Sequence, residues 1–282
     1  MNRLLLVDGS NLLFQMFFGM PARIVNQQGK AIQGTLGFIG ALLKIIRRVR
    51  PTHIAVLFDG EHENERCALD PDYKANRVDY SEMPEEETPF SQLGDIDAAL
   101  DLIGIRHTET TVCETDDIIA SYAFDETIRE QTEIIISSWD SDFFQLITDT
   151  VSVLRYRGEN TMLYTPKTIK DRLGITPKQY AGFKSLTGDA SDHIKGADKV
   201  GPKTAASLLN EFGTLDNLLA NAKQIKKPSV RESILRNTEK LKKNYKLIKL
   251  SDIAPVPFAL HELAYQDTEI TTNEVLKGIG LK

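Results

Sequence analysis

The chain has 282 residues, 41% hydrophobic and 26% charged, with a formal net charge of −6. That composition is ordinary for a globular protein and excludes a disordered or low-complexity chain, and the length suffices for one large domain or two modest ones. No apolar run approaches the ~20 residues that cross a bilayer, and the two cysteines, Cys67 and Cys113, argue against a disulfide framework and fit a reducing cytosol.

In chain order, the opening "MNRLLLVDGSNLLFQMFF" is apolar enough to suggest a signal peptide, but Asp8 interrupts it and no small-residue cleavage site follows. A soluble, cytoplasmic monomer with no membrane partner is expected. Strands are predicted at Leu4–Val7, Ile54–Phe58, Glu133–Ser137 and Val151–Leu154, with a weaker one near Ile103–His107. Helical periodicity lies between them, over 35–49 and 116–130. This alternation predicts an α/β domain built on a largely parallel central sheet flanked by helices, and such sheets bind ligands at the carboxyl ends of their strands. Residues 61–90 are polar, punctuated by proline and fit no strand, so they read as a mobile excursion. From about Thr176 the pattern becomes wholly helical, and the tail "SDIAPVPFALHEL" reads as an extended segment packing back on the body. The expected division is 1–175 for the core, 176–250 for a helical subdomain and 251–282 for the returning tail.

The acids form a pattern. The first two strands end in "VDGSN" and "LFDGE", placing Asp8 and Asp59 at their carboxyl ends. The third strong run, in "EIIISSWDSDFF" (133–144), delivers Asp140 and Asp142. "CETDD" sets Glu114, Asp116 and Asp117 at the start of a helix, and "GDASDH" contributes Asp189 and Asp192, three apart and so on one face if helical. Singly, each has an ordinary explanation as a turn former or helix cap. Jointly, a parallel sheet converges three strand ends and the helix start on one edge, with up to nine carboxylates in a cleft. Their sequence neighbours offer no matching Arg or Lys, and like charges so placed cannot all stay ionised without counter-charge. Scattered oxygen ligands without a His/Cys cluster suit hard divalent ions, Mg²⁺ or Mn²⁺, and nine acids suit two ions rather than one. Two such ions typically clamp the attacking and leaving oxygens of phosphodiester hydrolysis.

Charge is unevenly placed. Between Lys195 and Lys249 stand 13 Lys and Arg against five acids, a net +8 that leaves −14 elsewhere. A basic block beside an acidic one suits a polyanion-binding face next to a cation site, although a solvated lysine-rich helical surface explains the block equally well. Within it, "GADKVGPKTAASLLNEF" (196–212) places two glycines, Pro202, Lys203 and Thr204 ahead of an apolar-periodic helix. Pro202 fits a first helical position, and backbone N–H groups at such a turn can cradle a phosphate. An ordinary helix–turn–helix with a glycine cap reads the same way.

Taken in order, "LLLVDGSNLLF", "PTHIAVLFDG", "DYKANR", "ETDDIIASYA", "DSDFFQLITDTVSVL" and "LTGDASDHIKGADKVGPKTAASLL" resemble the motifs of the bacterial and phage 5′-nuclease (flap endonuclease) family, over roughly 3–258. The same module forms the N-terminal region of bacterial DNA polymerase I, and this chain looks like a stand-alone version. The resemblance implies a PIN-like core, a helical arch over the site at 61–90 and a helix–three-turn–helix element gripping duplex DNA, with K⁺ bound at the hairpin. It implies metal-dependent removal of 5′ flaps and trimming of 5′ ends, on branched or 5′-ended DNA and on RNA–DNA primers, leaving a 5′-phosphate. Asp8, Asp59, Glu114 and Asp116 would form a first metal site and Asp140, Asp142 and Asp192 a second, with Asp117 and Asp189 assisting. Tyr73 matches a stacking aromatic, Lys74 and Arg77 match residues that steer the scissile phosphate, and Arg23 lies where a further phosphate contact is expected. Lys195, Gly196, Lys199, Val200, Gly201, Lys203 and Thr204 form the expected DNA-contacting hairpin.

There are departures from the family pattern. Trp139 stands where a small residue is usual, Ser141 replaces a lysine, His193 replaces an asparagine, and "SEMPEEETP" makes the arch acidic. None removes a metal ligand, so an active enzyme is expected. A PIN-like ribonuclease accounts for the acids but not the basic hairpin. A non-catalytic junction-binding protein is opposed by the complete acidic set, because superfluous carboxylates near DNA would weaken binding.

Overall fold

The computed structural model describes residues 2–60, 65–78, 80, 83–84, 87–250 and 253–281. Its sheet has six strands in the order β3-β2-β1-β4-β5-β6. Strands β1 (Asn2–Asp8), β2 (His53–Asp59), β3 (Arg106–Thr110), β4 (Thr132–Ser137) and β5 (Val151–Arg155) are all parallel, and β6 (Met162–Tyr164) closes one edge antiparallel to β5. The runs "LLLV" and "III" are apolar at every position because both faces of the sheet are covered. Leu4, Leu6, Ile134 and Ile136 point into one core, and Leu5, Val7 and Ile135 into the other.

The second core is covered by α1 (Gly9–Gly19), α2 (Gln33–Val49), α4 (Leu93–Leu102) and α13 (Thr272–Gly278), through side chains such as Leu12, Phe38, Ile96 and Val275. The first core is covered by α5 (Thr115–Phe124) and α6 (Glu126–Arg129). It runs without a break into the C-terminal helices α8 (Tyr180–Thr187), α9 (Pro202–Phe212), α10 (Leu215–Ala220), α11 (Pro228–Arg236) and α12 (Thr238–Ile248). Helix α7 (Pro166–Leu173) joins the sheet to this layer and buries Ile169 there. The tail returns to the sheet: the Tyr122 hydroxyl donates to the Phe258 carbonyl at 2.7 Å, and the Tyr265 N–H to the Thr52 carbonyl at 2.8 Å.

Four local expectations need correction. The weak strand near 103–107 lies instead at 106–110, because Ile103 caps α4 and Gly104, at φ 69°, turns the chain first. The single helix over 116–130 is two helices: Asp125 leaves helical geometry and its carboxylate accepts from the Thr127 and Ile128 N–H groups to start α6. Periodicity hides that break because Ile128 still faces the same core. Asp189 and Asp192 share no helix, since they flank the tip of a short hairpin, β7 (Gly188–Asp189) and β8 (Ile194–Lys195), in a layer expected to be wholly helical. The arch expected over 61–90 falls partly on residues outside the described set. Its described part holds α3 (Glu65–Leu69), turns over 70–77 and a 3₁₀ turn at Pro89–Gln92, with no strand.

Candidate active site

Strand order reverses between β1 and β4, so chain segments leaving those two strands diverge and open a crevice at their carboxyl ends. Asp8 ends β1 and caps α1, accepting from the Asn11 N–H at 3.0 Å, while the Ser138 hydroxyl just past β4 donates to its other oxygen at 2.7 Å. Asp59 ends β2, and its carboxylate accepts from the Thr115 N–H at 2.9 Å, which ties the start of α5 to the strand end. Past β4, the Asp140 N–H donates to the Ser138 hydroxyl at 2.9 Å and the Asp140 carboxylate accepts from the Asp142 N–H at 2.7 Å. Asp8 and Asp140 are therefore both a cap or turn former and members of the acidic edge.

Helix α5 opens with Glu114, Asp116 and Asp117. Here the expectation that the acids lack counter-charge is overturned, because the cations that meet this helix come from far along the chain. Arg66 pairs with Glu114 through one guanidinium nitrogen and with Asp117 at 2.8 Å through the other, and Lys74 donates to the second Glu114 oxygen at 2.5 Å. Lys184, on α8, pairs with Asp189. Burial opposes the Lys74 ammonium, but Glu114 and Asp116 outweigh it and hold its pKa above the ordinary value.

The remaining charge is only partly relieved. Burial, then Asp59 and Asp140, push Asp8 up to about 7. Burial, with Asp140, Asp8 and Asp59 beside it, pushes Asp116 well above the carboxylate range. Asp142 rises too, through burial and Asp140, and Asp192 through burial, Asp140 and Asp189. Burial also works against a charged Asp189, yet the Lys184 and Ser191 hydrogen bonds prevail and hold it below the usual range. Asp140 acts on Asp8, Asp116, Asp142 and Asp192 alike, so the two groups of carboxylates form one continuous electrostatic cluster.

Asp142, Asp189 and Asp192 each present an oxygen within 4.8 Å of the others, a spacing that suits a shared cation. One Asp142 oxygen is buried without a hydrogen-bond partner, and an orphaned acceptor among like charges fits a hard divalent ion supplying the missing charge.

The expected basic and aromatic residues divide. Arg77 reaches Asp192 at 3.5 Å, and its side chain is 57% exposed, so it faces both the cluster and solvent. Arg23 does not join them: it is exposed on the loop after α1 and makes no hydrogen bond or ion pair among the described residues. Tyr73 corrects an expectation, because its ring is buried against Ala181, Ile194, Leu247 and Ile248 and offers no free face for stacking. The whole turn is clamped to the acidic hairpin: the Lys74 N–H donates to the Asp192 carbonyl at 3.1 Å, and Asn76 Nδ2 to the Ala190 carbonyl at 3.1 Å.

Beyond Asp189 a concavity of about 660 Å³ runs along Gly188, His193, Lys195 and Gly196 toward the hairpin. Gly196 is obligatory, since a Cβ there would collide with the Leu186 carbonyl oxygen. Lys195, Lys199, Gly201 and Lys203 are exposed and Thr204 is half-buried, whereas Val200 is buried and anchors the loop. Pro202 takes the first helical position of α9. Two departures from the family pattern acquire reasons. His193 sits at φ 60°, a conformation that suits Asn and His among non-glycine residues. Trp139 is anchored, its N–H donating to the Asn11 side chain at 3.0 Å and its indole N–H to the Tyr156 carbonyl at 2.8 Å, with Arg155 and Arg157 close to its ring. Arg66, Lys184 and Ser138 were not legible as site residues, because each meets its acid across 48, 5 and 130 positions with no motif joining them.

Residues 3–174 match the 5′-3′ exonuclease N-terminal resolvase-like domain, and 175–271 match the 5′-3′ exonuclease C-terminal SAM fold. The chain belongs to the 5′-3′ exonuclease family. It is 33% identical over 267 residues to the thermostable DNA polymerase I of Thermus thermophilus, a match covering 95% of this chain and 31% of that protein. The chain thus spans about a third of the length of this curated relative. A T5 protein co-crystallised with metal ions superposes with a TM-score of 0.71 at 22% identity, over 88% of this chain and 89% of the other. A bacteriophage T5 flap endonuclease, in a pseudo-enzyme–product complex with DNA and metal ions, superposes with a TM-score of 0.70 at 20% identity, over 99% and 98%. At such identities the likeness is one of fold.

Proposed function

We propose that this protein is a divalent-metal-dependent 5′-nuclease that hydrolyses phosphodiesters in 5′ flaps and at 5′ ends of branched DNA, RNA–DNA primers included. One observation carries the reading: a continuous acidic cluster centred on Asp140 is bordered on one side by Lys74 and Arg77 and continues, through the concavity at Asp189, to an exposed hairpin with Lys199 and Lys203. Family membership and the T5 complex with DNA and metal ions support it.

Asp8, Asp59, Glu114, Asp116, Asp140, Asp142 and Asp192 would hold two Mg²⁺ or Mn²⁺ ions, with Asp117 and Asp189 assisting. When bound, such ions supply the charge that polarises a phosphate and activates water. The chain's own residues do the rest. Lys74 stays protonated and sits on a flexible stem beside the acids, from which its ammonium can meet negative charge developing on a phosphate. Arg77 presents its guanidinium from the solvent side. Lys199 and Lys203 grip duplex phosphates and so position the scissile bond without reading base sequence. K⁺ at the hairpin belongs to the same reading, and exchanging K⁺ for Na⁺ should weaken duplex binding.

The test is cleavage of flap DNA, of matched single-stranded RNA and of intact duplex, each with Mg²⁺ and with EDTA. Metal-dependent cutting at the flap base is expected. Cutting of RNA alone would make the protein a PIN-like ribonuclease, and tight binding without cleavage would make it a junction-binding protein.

A further inference from the structure

The Arg66 guanidinium lies outside every motif that the family resemblance rests on, yet it is buried at the α5 end of the site as deeply as Lys74. Its side chain is 12% exposed, and it spans two carboxylates of the first turn of α5, Glu114 and Asp117, which are themselves buried. Glu114 is thereby held at both oxygens, Oε2 by Arg66 and Oε1 by Lys74.

The two cations stand on different footings. Lys74 is a point charge on a four-carbon stem, held by one carboxylate and able to leave it. Arg66 uses two nitrogens of a planar fork on two separate carboxylates, an arrangement that fixes direction as well as charge. Its own helix, α3, is braced from behind: Asp70, one residue past the helix, pairs with Lys243 on α12 at 2.8 Å. If Lys74 moves to a substrate phosphate, Arg66 still clamps Glu114 Oε2.

We propose that Arg66 is a positioning residue of the metal site: by bridging Glu114 and Asp117 it fixes the orientation of both carboxylates toward a divalent ion, and it takes no part in phosphate binding. The proposal rests on the metal-dependent reading above.

The experiment compares wild type with Arg66→Ala and Arg66→Lys in two measurements. Mn²⁺ binding without DNA is followed by electron paramagnetic resonance, and flap cleavage is followed as a function of Mg²⁺. Mn²⁺ binding and the half-activating Mg²⁺ concentration of Arg66→Ala should both weaken by about 10–100-fold, the usual effect of losing a group that orients a metal ligand. The rate at saturating Mg²⁺ should return to within a few-fold of wild type. Arg66→Lys should fall between the two, since one ammonium cannot span both carboxylates. Unchanged metal affinity would overturn the proposal. Tighter Mn²⁺ binding would overturn it too, by making Arg66 a competitor for the site, and a low saturated rate with normal metal affinity would make it a phosphate contact. If Arg66→Ala does not fold, Arg66→Gln takes its place in both measurements. Wild-type protein that binds Mn²⁺ but cuts no flap would sink the nuclease reading, while the Mn²⁺ arm would still decide the role of Arg66.

Discussion

Asp140 is the residue on which the site turns, because its charge bears on both groups of carboxylates and its backbone is pinned by the same Ser138 hydroxyl that holds Asp8. Asp140→Asn should lower flap cleavage by more than the 10–100-fold typical of an outer-shell partner, while junction binding in a gel-shift assay survives. A near-normal rate would refute its place in the metal site. Asp8 makes a second prediction, on stability. Its pKa lies near 7 in the metal-free fold against 3.8 ordinarily, so between those values the folded state holds a proton that the unfolded state has released. Stability of the metal-free protein therefore falls as pH rises through that window. Asp8→Asn should melt higher than wild type at pH 8 in EDTA and close to wild type at pH 4, and equal melting curves at pH 8 would show that the carboxylate is not strained there. At this scale the acids of the sheet edge and of α5 were legible in sequence because they stand at or just past a strand end or at a helix start. Their counter-ions were not: nothing in a one-dimensional pattern joins Arg66 to Glu114, and nothing in "DYKANR" shows that Tyr73, expected as a stacking aromatic, is buried against α8 and α12.

Among the elements, the strands were legible because a doubly covered parallel strand must be apolar at every position. Breaks inside apolar patterns were not, since Asp125 interrupts a helix without disturbing the face it buries. The hairpin between α8 and α9 shows both cases. Pro202 at the first turn of α9 was readable from residue type, but the demand for glycine falls at Gly196, where two backbones nearly touch, and not at Gly201, where a Cβ would meet nothing within the protein. That open space beside exposed Lys199 and Lys203 is where a phosphate backbone can approach. Lys199→Ala and Lys203→Ala should each weaken duplex binding for all sequences alike and reduce the logarithmic salt dependence by about one. The measurement is binding across a salt series, and an unaltered slope in both variants would remove the hairpin from the interface.

In the whole molecule, the acidic edge and the basic helical layer are joined by one uninterrupted core, which lets metal binding act on global stability. The raised pKa values of Asp8, Asp116, Asp142 and Asp192 mean that burial, with like-charge repulsion added, opposes folding above their ordinary range. Mg²⁺ should therefore raise the melting temperature, more at pH 8 than at pH 5, where protons already relieve the cluster, and EDTA should reverse the gain. At a hundred times the dissociation constant the stabilisation is about 2.7 kcal/mol. A melting temperature indifferent to Mg²⁺ at pH 8 would contradict a cation site within the fold.

Apolar runs and strand-end acids, read along the chain alone, determined the α/β class, the parallel sheet and the edge at which the acids collect, because burial and strand direction are written in local residue type. Only the tertiary structure decided which cation meets which acid, which aromatic is buried and which glycine is indispensable. Those outcomes depend on tertiary contacts, most of them between segments distant along the chain, and such contacts leave no period in the sequence.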